Sequence, residues 1–320
     1  MIILRTRAIL CLIVLLLGGL TLSGCIDTAG SIKLTSPKSG FASSPKAEGQ
    51  PLTFGIIYPM VNANYELITE KAEAAAQEHN VHLLVQAPDE ANLEQQVRIM
   101  EMMIKRKVDG IAIAPVDSTA LVNVINKAVA QGIPVVCFES DSPNSKRQAY
   151  IGADNRRTGT VIGQTLDYLL GGKGMVLVES GMFRTLGFSE RLLGLQAYLQ
   201  EHTGIDVLEV RHNDGSEDSA ISQLEQMISA HPHFNALVSL DFVSSSSSVL
   251  VWKAKGLKRY NIALGLTPSL QQAIDNGQIT RVISQNEQNW GADIINTLLL
   301  RSRGITVAKT IDTQITVIGE

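Results

Sequence analysis

The chain has 320 residues, 45% of them apolar and only 5% aromatic, and a formal net charge of −4. That length exceeds one small domain and suits two lobes of ordinary size, each with its own core. The acidic balance argues against a nucleic-acid partner, which would reward clustered Lys and Arg.

The chain opens with a short basic stretch (Arg5, Arg7), an apolar run over Ala8–Leu17, and then Leu22-Ser23-Gly24-Cys25. This is the layout of a secretory signal, predicted over residues 1–24. The apolar run is short for a membrane-spanning helix, although an uncleaved anchor helix is the alternative. Leu-Ser-Gly-Cys resembles a bacterial lipobox, which implies acylation of Cys25 and a membrane attachment through lipid. Either reading places the body outside the cytoplasm, in the periplasm or on the outer face of the cell membrane. Residues 25–51 hold the lipidated cysteine and a tether rich in Ser, Gly, Pro, Ala and Lys.

From Pro51 onward, apolar strands alternate with helical stretches. Strands are predicted at Thr53–Tyr58, Val81–Gln86, Gly110–Ala114 and Pro134–Phe138, with helices at Tyr65–Glu78, Leu93–Lys105 and Thr119–Ala130. The rhythm then repeats, with strands at Met175–Val178, Asp206–Val210, Ala236–Leu240 and Asn261–Leu264. The helices between them are centred on Arg191–Leu199, Ile221–Ser229 and Ser247–Lys255. Near-continuous apolar strands separated by helices imply parallel sheets covered on both faces. The predicted fold is α/β, with two similar lobes, each a parallel sheet flanked by helices.

Of three cysteines, Cys11 and Cys25 precede the body and only Cys137 lies within it, so no internal disulfide is expected. The pairs His79/His82 and His231/His233 read as surface residues, and no cluster has metal-ligand spacing. No metal or cofactor is expected. There is no Gly-x-Ser-x-Gly elbow and no phosphate-binding loop, so the chain does not read as an enzyme. A transcription regulator would need a basic helix-turn-helix where the export signal stands.

In open α/β sheets ligands bind beyond the carboxyl ends of the strands. That rule selects Asn62–Tyr65, Ala114-Pro115, Glu139–Asp141, Glu179–Phe183, Asp241-Phe242 and Gly265 for inspection, and it predicts a cleft between lobes that close on a ligand.

Several segments in a fixed order carry a resemblance. They are Gly-Ile-Ala-Ile-Ala-Pro at 110–115, Ala-Val-Ala-Gln-Gly-Ile-Pro-Val-Val at 128–136, Glu-Ser-Asp-Ser-Pro at 139–143 and Tyr-Ile-Gly-Ala-Asp-Asn at 150–155. Gly171–Gly174, Glu190-Arg191 with Gly194, Ala230-His231-Pro232 and Asp275-Asn276-Gly277 complete the set. Together they resemble the ribose/galactose-type periplasmic binding proteins, the type I substrate-binding proteins of ABC importers. The resemblance covers roughly residues 52–319. It implies a three-segment hinge, with crossings near Asn155, Ser284–Asn286 and Ile311. One lobe would then hold residues 52–154 plus 286–311, and the other 155–285 plus 312–320.

The resemblance also implies a ligand set. Arg191 matches the arginine that holds sugar hydroxyls, and its fixed fork of donors suits them. Asn62, Asn64 and Tyr65 follow the first strand, where the family places amides and an aromatic; Asn64 could equally cap the next helix. Glu139 stands where an aspartate is usual, Ser140 where an arginine is common, and Asp141 can share the task. Asp241 replaces an asparagine, and Gln285 matches a ligand-reaching glutamine at a crossing. Gly265 departs from the pattern by replacing an aspartate, which would leave room for a larger ligand or a water. Phe183, Phe242 and Trp290 are candidates for stacking, or for core and cleft rim. The Ser244–Ser248 run begins a helix after Asp241; it reads as a tolerant small-residue turn, or as a helix end whose free amides could take a phosphorylated ligand.

The expected ligand is a small polar molecule, a sugar or sugar-like compound. The expected partner is an ABC permease, or alternatively a membrane histidine kinase or chemoreceptor, with the binding protein itself a monomer.

Overall fold

A computed structural model describes residues 50–319, apart from the side chain of Asn64. The leader, Cys25 and the tether to residue 49 lie outside the described residues. Within one compact unit the chain builds two six-stranded sheets.

The first sheet contains β1 (Leu52–Ile57), β2 (Val81–Gln86), β3 (Gly110–Ile113), β4 (Val135–Phe138), β5 (Ala149–Ile151) and β11 (Thr310–Ile311). Their order is β11-β5-β4-β3-β1-β2, and every pair is parallel. The second sheet contains β6 (Lys173–Ser180), β7 (Gly204–His212), β8 (Ala236–Ser239), β9 (Tyr260–Leu264), β10 (Arg281–Ser284) and β12 (Thr316–Ile318), in the order β12-β10-β9-β8-β6-β7. Only β12 runs antiparallel, as an edge strand on β10. Parallel strands need helical crossovers, and those helices cover both faces. The first sheet therefore has separate cores on its two faces: Phe54, Ile56, Val136 and Phe138 on one, Ile57, Ile111, Ile113 and Val135 on the other.

The helices are α1 (Glu66–Glu78), α2 (Leu93–Lys105), α3 (Val122–Ala130), α4 (Asn155–Leu170), α5 (Leu186–His202), α6 (Glu217–Ala230), α7 (Phe242–Lys255), α8 (Pro268–Asp275) and α9 (Trp290–Ser302). The chain passes between sheets three times: from β5 into α4, from β10 into α9, and from β11 to β12. These passages are the three segments of the hinge. Among the described residues no helix is long and apolar enough to cross a membrane.

Helix α4 has no predicted counterpart, because Gly159, Gly163 and several threonines depress its intrinsic helicity. Packing explains those glycines. A Cβ on Gly159 would lie 2.0 Å from the Arg191 carbonyl oxygen on α5, and one on Gly194 would lie 2.0 Å from the Arg156 carbonyl oxygen on α4. The two backbones touch because neither helix has a side chain at the crossing.

Helix α7 begins directly after Asp241, as the serine run suggests. Asp241 is its N-cap, and Ser244, Ser245, Ser247 and Ser248 are fully buried inside it rather than forming an open end. Ser245 Oγ accepts the Leu264 N–H at 2.9 Å, and Ser248 Oγ accepts from Asn261 Nδ2 at 3.0 Å. The serine run thus fastens α7 to β9 with small, hydrogen-bonding side chains.

Gly194→Ala is expected to force α4 and α5 apart. Overpacking of this kind costs about 1–3 kcal/mol, and contact with rigid backbone outweighs alanine's better helix propensity. Urea unfolding should show a lower midpoint with an unchanged slope.

Candidate functional site

The carboxyl ends of the strands from both sheets converge on a small cavity between the lobes, of about 10 Å³. That is room for about one water molecule. A sugar-sized ligand therefore requires the lobes to part or the lining to move. From the first lobe the lining includes Met60, Asn62, Tyr65 and Glu139. From the second it includes Phe188, Asn213, Asp241 and Phe242.

Glu139 follows β4 with φ of 61°, in the left-handed region that a long side chain seldom occupies. Its carbonyl oxygen accepts from Tyr150 Oη at 3.1 Å and Asn155 Nδ2 at 3.3 Å, which holds this turn. Its carboxylate accepts from Tyr65 Oη at 2.9 Å. Tyr65 stacks on Tyr58 with ring centroids 4.6 Å apart and meets Phe242 edge-on at 5.9 Å. One face of its ring is therefore covered within its own lobe.

Asp241 also lines the cavity, but its carboxylate is already engaged. Oδ1 accepts the Val243 and Ser244 N–H groups at 2.9 and 3.0 Å, and Oδ2 accepts from Ser244 Oγ. The first turn of α7 is thus capped by a resident anion. This corrects the reading of that end as a place for a phosphorylated ligand.

Arg191 is buried behind the lining rather than in it. Its Nε donates to Asn155 Oδ1 at 2.8 Å and its Nη1 to the Leu240 carbonyl at 2.6 Å, with Phe188 5.1 Å from its guanidinium carbon. Gln285 sits beside it, donating through Nε2 to Asn155 Oδ1 at 2.9 Å and Thr158 Oγ1 at 2.8 Å. Its buried Oε1 has no partner among the described residues. Ser140 Oγ accepts the Gly187 N–H at 3.2 Å and so bridges the lobes. Asp141 faces away, paired with Arg147 through Nε–Oδ1 at 2.5 Å. The structure therefore brings Asn62, Tyr65, Glu139 and Asp241 to the cavity, sets Arg191 and Gln285 behind it, and gives Ser140 and Asp141 to the lobe contact and the hinge side. Of Asn64 only the backbone, in a short turn before α1, is described.

Gly265 does not open space. Its φ is +85°, and a Cβ there would lie 2.1 Å from the Phe242 ring. Phe242 fills the volume that an aspartate would take. Although it belongs to α7, it packs with Tyr65 and Trp290 in the first lobe's core. Trp290 is buried core, while Phe183 is 73% exposed.

Sequence reasoning missed Met60, Phe188 and Asn213. Asn213 was within reach of the strand-end rule, since it follows β7. The other two have no polar signature.

Burial dominates the electrostatics. It pushes the Glu139 carboxyl up to about 7, against the opposing pull of the Arg191 charge and the Tyr65 hydroxyl. It raises Asp241 and Glu287 too, and lowers Arg191. Glu179, fully buried at the end of β6, is pushed up to about 9 by burial and by the charge of Asp241. Asn213 acts on it electrostatically, without closing a hydrogen bond of normal geometry. Among the described residues no group of three or more His, Cys, Asp or Glu side chains could hold a metal ion.

Because the folded pKa of Glu139 lies above its ordinary 4.5, the native state binds more protons than the unfolded chain between about pH 4.5 and 7. Its contribution to stability is therefore lost as pH rises through that window. Glu139→Gln should flatten this part of the stability–pH curve and be the more stable protein at pH 8, by roughly 1–3 kcal/mol. Urea unfolding at several pH values measures the difference.

A profile of the periplasmic binding protein domain matches residues 54–304. The chain is 28% identical over 174 residues to a D-ribose/D-allose-binding protein of Pseudomonas aeruginosa, an alignment covering 52% of this chain and 54% of that protein. The chain thus spans about half the length of that relative. Among solved structures, an ABC transporter solute-binding protein of Burkholderia graminis in complex with D-arabinose superposes with a TM-score of 0.81 at 25% identity, covering 86% of this chain and 97% of that one. A XylFII–LytSN complex matches with a TM-score of 0.79 at 22% identity, covering 84% and 98%, a likeness of fold. The family match spans most of the described body, and the chain belongs to the periplasmic binding protein family, whose members bind solutes rather than transform them.

Proposed function

We propose that this chain captures a small polyhydroxylated solute, a sugar or a sugar-like compound, between its lobes outside the cytoplasm and delivers it to an ABC importer. Acylated Cys25 and the following tether would keep the body at the membrane. The observation that carries the reading is the convergence of Glu139 and Asp241, from opposite lobes, on one cavity beside a three-segment hinge. A ligand held by both lobes binds the closed form better than the open form, and that difference drives closure. The D-arabinose complex of the Burkholderia graminis neighbour supports the sugar class.

Contacts already spanning the lobes favour closure. Thr185 Oγ1 donates to the Val116 carbonyl at 3.2 Å, and Arg184 pairs with Asp117 at 3.6 Å near the surface. Arg191 is assigned a positioning role: it fixes Asn155 and balances the charge of Glu139 from behind the wall. A second reading, as the ligand-sensing subunit of a membrane receptor, draws support from the neighbour seen as a XylFII–LytSN complex. The solute site would be the same in both.

Calorimetric titration of the full-length chain with D-ribose, D-arabinose, D-galactose and D-glucose tests the proposal. Saturable binding of at least one is expected, and no binding to any would overturn the sugar class. Arg191→Ala should weaken the bound sugar at least tenfold, about 1.4 kcal/mol. The unfolding midpoint of the ligand-free variant separates lost binding from lost fold.

A further inference from the structure

We infer that the cleft is built for a polyhydroxylated ligand bearing a protonated amine. The inference rests on the reading of the cavity as a solute site and narrows its ligand class. Two carboxyl groups line the cavity, Glu139 from the first lobe and Asp241 from the second, and no Lys, Arg or His is among the lining residues. Glu139 is 3% exposed. Its Oε2 takes the Tyr65 hydroxyl.

The cation behind the wall balances this arrangement only in part, acting on both carboxylates through space. Arg191 donates to two neutral oxygens, those of Asn155 and Leu240, and forms no ion pair with either lining carboxylate. Asp241 is partly balanced by the amides of α7, equivalent to about half a positive charge at a helix start. With both carboxyls ionised, closing the lobes buries more negative than positive charge, which is costly without a counter-ion. An ammonium group supplies that charge and donates charge-assisted hydrogen bonds to carboxylate oxygens.

The remaining lining fits the same ligand. Tyr65, Phe188 and Phe242 present three aromatic rings to one small space. Aromatic faces attract ammonium groups, most strongly where water is excluded. They also suit the C–H face of a ring. Asn62 and Asn213 complete the lining with neutral amides, that of Asn213 already donating to Ser244 Oγ and accepting the Gly215 N–H. A neutral sugar would meet the rings but leave part of the buried negative charge uncompensated.

Matched pairs of probes test this on the full-length chain by calorimetry: D-glucosamine against D-glucose, D-galactosamine against D-galactose, and 2-amino-2-deoxy-D-ribose against D-ribose. N-acetyl-D-glucosamine serves as the uncharged control. At least one amine is expected to bind tenfold or more tightly than its neutral partner, with the acetylated control losing that advantage. Asp241→Asn keeps a good helix cap, since asparagine caps as well as aspartate, and should reduce the preference several-fold. Glu139→Gln keeps an acceptor for Tyr65 and should do the same. Neutral sugars binding as tightly as their amines would overturn this inference and leave the solute-site reading intact. Failure of every probe would overturn both.

Discussion

The side chain of Asn155 is the point on which the rest of the cleft depends. It lies where the chain first crosses between sheets, and it is buried. Its Nδ2 donates to Tyr150 Oη and to the Glu139 carbonyl, while its Oδ1 accepts from Arg191 and from Gln285. One amide therefore joins the strained turn after β4, the arginine of α5 and the glutamine of the second crossing. Each of these groups would be costly to bury alone. Together they form one hydrogen-bonded network, in which Gln285 Oε1 has no partner among the described residues. Glu139 can hold its unusual backbone angle because that network fixes the carbonyl on one side and Tyr65 fixes the carboxylate on the other.

The close approach of α4 to α5 follows from the same geometry. Arg191 reaches Asn155 because the helices meet at Gly159 and Gly194 with no side chain between them. Widening that crossing would carry the guanidinium away from the hinge. Fold and site are thus not separable here: a packing requirement in the second lobe sets a distance at the ligand cleft.

Much of this was legible in the residues. The apolar runs at Val81–Gln86 and the helical spacing of Leu93–Lys105 coincide with β2 and α2. The alternation of strands and helices carried the two-sheet architecture. The segments at 110–115 and 139–155 carried the likeness to the binding-protein family. What was not legible was decided by tertiary packing. Helix α4 looked too rich in glycine because its partner helix was not visible. The serine run looked like a small-residue turn or an open helix end because its bonds to Asn261 and Leu264 lie on another strand. Strand-end position identified Asn62, Tyr65, Glu139 and Asp241 as cleft residues, but not that Asp241 caps its own helix or that Asp141 is taken by Arg147. Those partners compete for the same oxygen atoms, and spacing alone does not reveal the competition.

Gly265 and Phe242 show how a departure in the sequence and the side chain beside it are one structural event. A glycine at 265 removes a carboxylate and any side chain. A phenylalanine at 242, on the neighbouring helix, turns into the space and packs against Tyr65 and Trp290 of the opposite lobe. A polar wall becomes an apolar one, and part of the contact between lobes becomes aromatic. Such a contact favours closure whatever the ligand is, because it removes apolar surface from water. Selectivity must then come from the polar groups that remain, which are concentrated in Glu139, Asp241 and the two lining asparagines. The apolar wall limits the size and shape of what fits, and the carboxylates determine the charge that makes closing the cleft favourable.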